Sequence, residues 1–293
     1  MLKEQAFLLF FSIITFQSCK VFERGVEIPA YIYVKPVKLI VNPDLQQGVA
    51  SIDSNDIWLF ANGSFLGAFA SPATVPVLKF GDVEITCNHG IKQSGQDEER
   101  MIYPMFKEFR TRVNLQKLKI DTISPVVSYV ENAVFPLIED FDMPGLSFEF
   151  NTQLKQNGDT IIRQSGSQAW NANGFSGRVI LNNDSSIFEI FSRVFNNFRR
   201  FTPTFLEMDY KNNIPFYMGI YISEPDGNVR QVPIFYFNPR ANWNKIYINL
   251  ENEIAAYQGN SAIRIFFRFS KIYDRQVAEP NIWLDNIKLV YLD

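Results

Sequence analysis

The sequence predicts an all-β protein: a small N-terminal β-sandwich followed by a C-terminal β-jelly roll, after a cleaved signal peptide. Three observations carry this reading. Short runs of alternating apolar and polar residues recur along the chain, punctuated by Asn-Gly, Gly-Asp and Pro-Asp-Gly turn signals. Aromatic residues make up 15% of the chain, with 28 Phe and 12 Tyr, a composition of packed sheets rather than helix bundles. After the leader no run is apolar for long enough to make a membrane helix.

Lys3 and the amino terminus give a weakly positive start, diluted by Glu4, before the apolar run Ala6–Phe16. That run is shorter than the ~20 residues a membrane helix needs, and Ser18 supplies the small residue of a cleavage site. Residues 1–18 are thus expected to be signal peptide and 19–26 a tether. Phe16-Gln17-Ser18-Cys19 resembles the lipobox of bacterial lipoproteins. The resemblance implies that Cys19 is the lipid-attachment residue, and each buried acyl CH₂ strengthens such an anchor by ~0.8 kcal/mol. An ordinary signal peptide containing a chance cysteine is the alternative. The address implied by a lipobox is the outer membrane, on its periplasmic or its cell-surface face.

The remaining chain is long enough for two domains. A net charge of −3 lacks the basic excess of a nucleic-acid binder. Of the two cysteines, acylation of Cys19 would leave Cys87 without a partner, so no disulfide framework is expected.

In order, β-type sequence begins at Ile28–Val34, and Val37, Leu39 and Val41 alternate with Lys38 and Ile40. Asp56–Ala61 and Ser64–Phe69 flank Asn62-Gly63, whose two residues suit the positive φ angles of a type I′ hairpin turn. Val75–Phe80 and Val83–Asn88 follow around Gly81-Asp82, with Val83, Ile85 and Cys87 on one face. Met101–Phe106 and Arg110–Ile120 complete a unit spanning 27–122. The start Ile28-Pro29-Ala30-Tyr31-Ile32, the Gly90-Ile91-Lys92…Gly95 loop and the Arg100…Tyr103-Pro104 segment resemble an uncharacterised family of Bacteroidota outer-membrane lipoproteins. That likeness implies an address and a fold, and no catalytic residues.

Pro125 to Pro136 breaks the periodicity, so 123–134 is expected as a linker and 135–293 as the second domain. Asn157-Gly158-Asp159 is read as a turn, and Gln164–Gly177, rich in Ser, Gly and Asn around Trp170, as a loop. Strands are expected at Arg178–Leu181, Ile187–Ser192, Thr204–Tyr210, Phe216–Ile222, Val232–Asn238, Lys245–Leu250, Ala262–Phe269 and Ile282–Tyr291, and a short helix within Leu250–Tyr257. Glu224-Pro225-Asp226-Gly227 is a hairpin connection. Glu139-Asp140-Phe141, Thr204–Tyr210, Trp243 before Lys245–Ile248, and Ile282-Trp283-Leu284-Asp285-Asn286-Ile287 resemble the jelly-roll carbohydrate-binding (galactose-binding-like) modules. In those modules the first and last strands often share a structural Ca²⁺. The resemblance therefore implies Glu139, Asp140, Asp142 and Asp285 as candidate calcium ligands, hard oxygens suited to that ion. Solvated charges at strand ends are the simpler account.

Few residues present themselves for chemistry. Glu207 and Asp209 share one face of a strand as in laminarinase-type glycosidases, but Tyr210, Lys211 and Asn212 follow where a further Glu is needed. His89 is the only histidine, and Cys87 beside it makes a dyad at best, so neither a triad nor a zinc site is expected. Trp170 in its polar loop is the candidate sugar-stacking residue, with folding back onto the sandwich as the alternative. Arg193, Arg199 and Arg200 alternate with Phe195, Phe198 and Phe201 in a basic-aromatic stretch that reads first as a charged strand edge.

No reaction centre is expected. The leading expectation is a non-enzymatic lipoprotein anchored in the outer membrane, a binding or accessory subunit of an envelope complex such as an outer-membrane β-barrel, export or assembly machinery. A glycan-binding lipoprotein acting through the jelly roll is the alternative, and a polysaccharide hydrolase a third.

Overall fold

The computed structural model describes residues 27–293 apart from 54–55, 97, 157, 197–200, 257–261 and 275. The expected signal peptide and tether, residues 1–26 with Cys19, lie outside the described residues.

Ten strands build the first sandwich: β1 (Ala30–Val34), β2 (Lys38–Ile40), β3 (Asp56–Ala61), β4 (Ser64–Ala70), β5 (Ala73–Val77), β6 (Gly81–Lys92), β7 (Arg100–Ile102), β8 (Phe109–Leu115), β9 (Ile120–Ile123) and β10 (Val126–Ser128). One sheet runs β4-β3-β6, with β8 and β7 sharing the far edge of the long β6. Facing it lie β5-β1-β9 and the pair β2-β10. Alternation explains which side chains meet: Ala30, Ile32 and Val34 of β1 oppose Ile57, Leu59, Ile85 and Cys87 in one core. The β3–β4 turn is as expected, with Asn62 at φ 46° and Gly63 at φ 74°.

The second sandwich follows with β11 (Ala133–Glu139), β12 (Phe148–Phe150), β13 (Thr160–Ser165), β14 (Phe175–Ile180), β15 (Ile187–Ser192), β16 (Thr204–Asn212), β17 (Phe216–Ser223), β18 (Val229–Phe237), β19 (Arg240–Asn249), the helix α1 (Glu251–Ala255), β20 (Ala262–Ser270) and β21 (Ile282–Leu292). One sheet is ordered β13-β14-β21-β16-β19, with β11 also on β21; the other is β12-β15-β20-β17-β18. Only the β13–β14 and β17–β18 connections stay within a sheet, so the chain winds back and forth between the layers as a jelly roll. Period-two apolar sets fill the space between, including Phe216, Met218, Ile220 and Ile222 of β17 and Ile263, Ile265, Phe267 and Phe269 of β20.

Strand β21 changes phase midway. Ile282 and Leu284 face the core, and so do Ile287 and Leu289. The extra residue is accommodated at Asn286, φ 47°, where pairing with β16 slips between Glu207 and Asp209. The bulge turns Trp283, Asp285, Lys288 and Val290 to the outer face, and this matters for the site below.

Several expectations are corrected here. The segment 123–134 is not a free linker: β10 pairs in parallel with β2, and Val127 and Tyr129 are buried in the first core. The span Arg110–Ile120 is broken by a turn at Leu118, φ 62°, which starts β9. Loop Gln164–Gly177 narrows to 166–174, because both of its ends join the β13–β14 ladder. Strands β12 and β13 carried too little alternation to be seen in the sequence.

Candidate functional site

Strand β16 is buried on both faces. Its inner side chains Leu206, Met208 and Tyr210 belong to the jelly-roll core, so Phe205, Glu207, Asp209 and Lys211 must project outward. The first sandwich covers the near half of that outer face. Phe205, Tyr247 and Val290 join its core, and the Tyr103 ring lies 5.1 Å from Phe205 and 4.9 Å from Tyr247. The two sandwiches thus share one hydrophobic seam.

A polar layer runs through this seam. Glu207 Oε1 accepts from the Tyr103 hydroxyl at 2.6 Å, and Tyr129 donates to its two oxygens at 3.1 and 3.0 Å. Burial, and then the Glu207 charge, push both phenols well above the usual tyrosine range. Asp209 accepts from Ser51 and, at 2.9 Å, from Asn286 Nδ2. Lys288 donates to the Val49 carbonyl at 2.7 Å, and burial lowers its ammonium to about 8. Lys245 Nζ stands 3.5 Å from Glu207 and 3.8 Å from Asp209. Glu207 and Asp209 therefore hold two halves of the molecule together. Both are sealed from solvent and fully engaged, which removes them from the glycosidase role.

Beside this layer a cleft of about 450 Å³ opens between the sandwiches. One wall is the turn after β6: Gln93 bridges to Tyr247, and the Ser94 amide donates to the Tyr247 carbonyl at 2.9 Å. Ser94 at φ 50° and Gly95 at φ 68° let the chain reverse tightly enough to sit against β19. Asp53 and Gln96 complete that side; Asn238, Arg240, Asn244 and Tyr236 form the other. Burial raises the Tyr210 phenol, and Arg240 and Asn244 beside it oppose that rise. Lys245 lies at the cleft with a buried side chain whose Nζ makes no hydrogen bond among the described residues, leaving donors unused. Tyr236 is 61% exposed, its ring 5.1 Å from that of Tyr217.

Tyr236 also belongs to the outward face of the second sheet, where Glu189 is buried among donors. Its carboxylate accepts from Tyr221 at 2.7 Å, Asn151 at 2.8 Å, Arg268 at 2.6 and 2.7 Å, and Gln231 at 3.4 Å. Burial, then Glu189, raises the Tyr221 phenol. The network fixes the sheet face on which the Tyr217–Tyr236 pair stands.

The expected calcium ligands are not brought together. Among the described residues no group of three or more His, Cys, Asp or Glu side chains could hold a metal. Glu139 instead caps a turn, accepting from the amides of Phe141 at 2.9 Å and Ser147 at 2.5 Å. Phe141, at φ 57°, swings its ring over Gly177, where a Cβ would sit 2.4 Å from the ring. Asp140 accepts the Asp142 amide, Asp142 accepts the Phe175 amide, and Asp285 accepts from Ser176 at 2.5 Å and Asn286 at 2.7 Å. Each carboxylate satisfies local backbone or hydroxyl donors, the need that the sequence alone does not display.

Trp170 is half-buried, with its amide on Ser176 Oγ at 2.9 Å, and it does not line the cleft. Its loop is pinned from the sheet instead: Lys211 Nζ donates to the Gln168 carbonyl at 2.5 Å, and the Trp243 indole to the same oxygen at 3.2 Å. Cys87 is a core residue whose thiol burial raises to about 12, and His89 is held neutral by burial, near 3. Arg193 donates to the Pro136 carbonyl at 2.9 Å and Phe195 is buried; Phe198, Arg199 and Arg200 lie outside the described residues. Sequence reasoning missed the cleft because its walls come from segments some 150 residues apart, roughly a whole domain of chain.

No family model matches the chain, and no curated protein is significantly similar to it. Among solved structures, the CBM22-1 xylan-binding domain of Paenibacillus barcinonensis Xyn10C aligns at 10% identity over 56% of this chain and 98% of its own, with a TM-score of 0.37. The enzymatically active domain of tailspike protein 4 from bacteriophage CBA120 aligns at 12% identity over 59% of this chain and 26% of its own, TM-score 0.41. The CBM22-1–GH10 modules of Clostridium thermocellum endo-1,4-beta-D-xylanase 10B, complexed with xylohexaose, align at 10% identity over 54% and 28%, TM-score 0.39. These are partial likenesses, and they assign no ligand to this chain.

Proposed function

We propose that this protein binds carbohydrate without altering it, through the cleft between its sandwiches. The observation that supports this most is the pairing of a 61%-exposed Tyr236 with a polar wall of Asn238, Arg240 and Asn244. A pyranose has an apolar C–H face that stacks on an aromatic ring and a rim of hydroxyls that both donate and accept. Asn238 and Asn244 offer both kinds of partner, Arg240 offers donors, and Asp53 offers an acceptor. Glu207 and Asp209 are sequestered, so neither can serve glycosidic cleavage, and among the described residues Asp53 is the one carboxylate lining the cleft. The expectation of an accessory role in an envelope complex rests on Cys19, outside the described residues, and the cleft favours the glycan reading over it.

A glycan microarray probed with the full chain and with Tyr236→Ala and Asn244→Ala tests the proposal. Binding to a restricted set of glycans that both substitutions weaken by tenfold or more is the expected result. Binding that neither substitution changes places the ligand elsewhere and rejects the cleft.

A further inference from the structure

The outward face of β5-β1-β9 is apolar at the end where β1 begins and gives way to Thr74, Tyr33 and Thr122 further along, all of them side chains that alternation turns away from the core. Pro76, Tyr31 and Ile120 form one row across the three strands, by the registers of β1 with β5 and with β9. Beyond that row the Leu118 amide closes on the Pro29 carbonyl at 2.9 Å. Leu78, Phe80, Leu118 and Ile120 are exposed by 55, 44, 71 and 63%. Lone exposed apolar side chains are ordinary, but neighbouring ones on one small sheet mark a docking face.

Two observations select the occupant. The chain enters the described body at Glu27–Ile28 and runs directly into β1, the middle strand of this sheet, so the apolar face surrounds the point of entry. Cys19 stands only about eight residues earlier, a reach of at most ~28 Å at full extension, so a lipid there would hold this face nearer to a bilayer than any opposite one. Charge makes the second argument. Lys117 and Lys119 are exposed on the turn into β9, neither is paired with a carboxylate among the described residues, and Lys117 Nζ lies 5.2 Å above the Phe80 ring. Aliphatic and aromatic side chains flanked by lysines suit the boundary of an anionic bilayer, apolar groups among the headgroups and ammoniums on the phosphates.

We propose that this face lies on an anionic lipid surface, with Leu78, Phe80, Leu118 and Ile120 inserted at headgroup depth and Lys117 and Lys119 on phosphates. The tether then does more than limit distance: with the face it sets which way the body stands on the membrane.

The test uses the full chain with vesicles of brominated phosphatidylcholine and phosphatidylglycerol at 7:3. Ile120→Trp places a reporter on the face, and Phe65→Trp, on β4 of the opposite sheet, is the control. Both sites are exposed, and near-ultraviolet circular dichroism checks the fold of each variant. The added emission at position 120 is expected to be quenched at least twofold, and that at position 65 left unchanged. Equal quenching at both sites, or none at 120, overturns the proposal. So does a dimer in sedimentation velocity that Ile120→Asp dissociates, because the face then belongs to a second copy.

Discussion

Glu207→Gln is the substitution that best separates a structural carboxylate from a catalytic one. The carboxylate accepts from the Tyr103 hydroxyl and, shared between its two oxygens, from the Tyr129 hydroxyl, and stands 3.5 Å from Lys245. An amide retains one acceptor oxygen and turns an NH₂ donor toward Tyr129 or the Lys245 ammonium, which has no lone pair to accept it, and the charge that balanced that ammonium is gone. Bonds to a charged group contribute ~1.5–3 kcal/mol each, and removing one member of a buried pair costs ~3–5 kcal/mol. Asp209, 3.8 Å from Lys245, still compensates part of that charge, so the lower end applies: about 3 kcal/mol. For a domain of this size that loss lowers Tm by roughly 6–12 °C. Differential scanning calorimetry reads it, and Tyr129→Phe in the same background should cost less than it does alone, since the partner is already weakened. An unchanged or raised Tm refutes the reasoning. Neutralising a carboxylate kept for catalysis commonly stabilises the fold, and that outcome would return Glu207 to the list of reactive groups.

Three further outcomes follow from the packing. Asp285 is raised by burial from 3.8 to about 7, so the folded protein keeps this proton to higher pH than the unfolded chain does. Its contribution is complete below about pH 4 and lost as pH rises through 7, at most ~4 kcal/mol; relative to Asp285→Asn, wild-type stability should therefore fall between those values in urea titrations. A parallel pH dependence in the two proteins would show that the carboxyl is not buried as described. Gly219→Ala puts a Cβ 2.2 Å from the Val232 carbonyl oxygen and 2.7 Å from the Phe266 ring, a clash that should cost at least ~1–3 kcal/mol and splay the β17–β18 pair. Loss of the Tyr217–Tyr236 platform, read as weakened glycan binding, should accompany it. Cys87, with its thiol pushed up to about 12, should resist iodoacetamide in the native protein and react after denaturation; native labelling mapped to that peptide would contradict its place in the core.

What the sequence displays is local. Asn62-Gly63 announces its hairpin because only residues tolerant of positive φ fit a type I′ turn. Strands β17 and β20 show their inner faces through strict alternation. The bulge at Asn286 hides the corresponding pattern in β21, since one inserted residue exchanges inside for outside. The polar seam is long-range by construction: Ser51, Tyr103, Tyr129 and Lys288 converge on Glu207 and Asp209, and nothing near any of them in sequence names the partner. Glu139, Asp140 and Asp142 illustrate the opposite error. Acidic residues at a strand end look like cation ligands until the amides of Phe141, Ser147 and Phe175 are seen to occupy them. The setting of Trp170 is hidden for a related reason, because a polar loop around an indole does not reveal that its neighbour Gln168 is clamped by Lys211 and Trp243.

Affinity electrophoresis through gels containing soluble plant and bacterial polysaccharides tests the cleft most directly, because it reads binding with no enzymatic signal required. At least one polysaccharide should retard the full chain, and Tyr236→Ala, folded and otherwise equal in mobility, should run as it does in a blank gel. Equal retardation of both proteins, or free passage of the wild type through every gel, would contradict carbohydrate binding between the sandwiches.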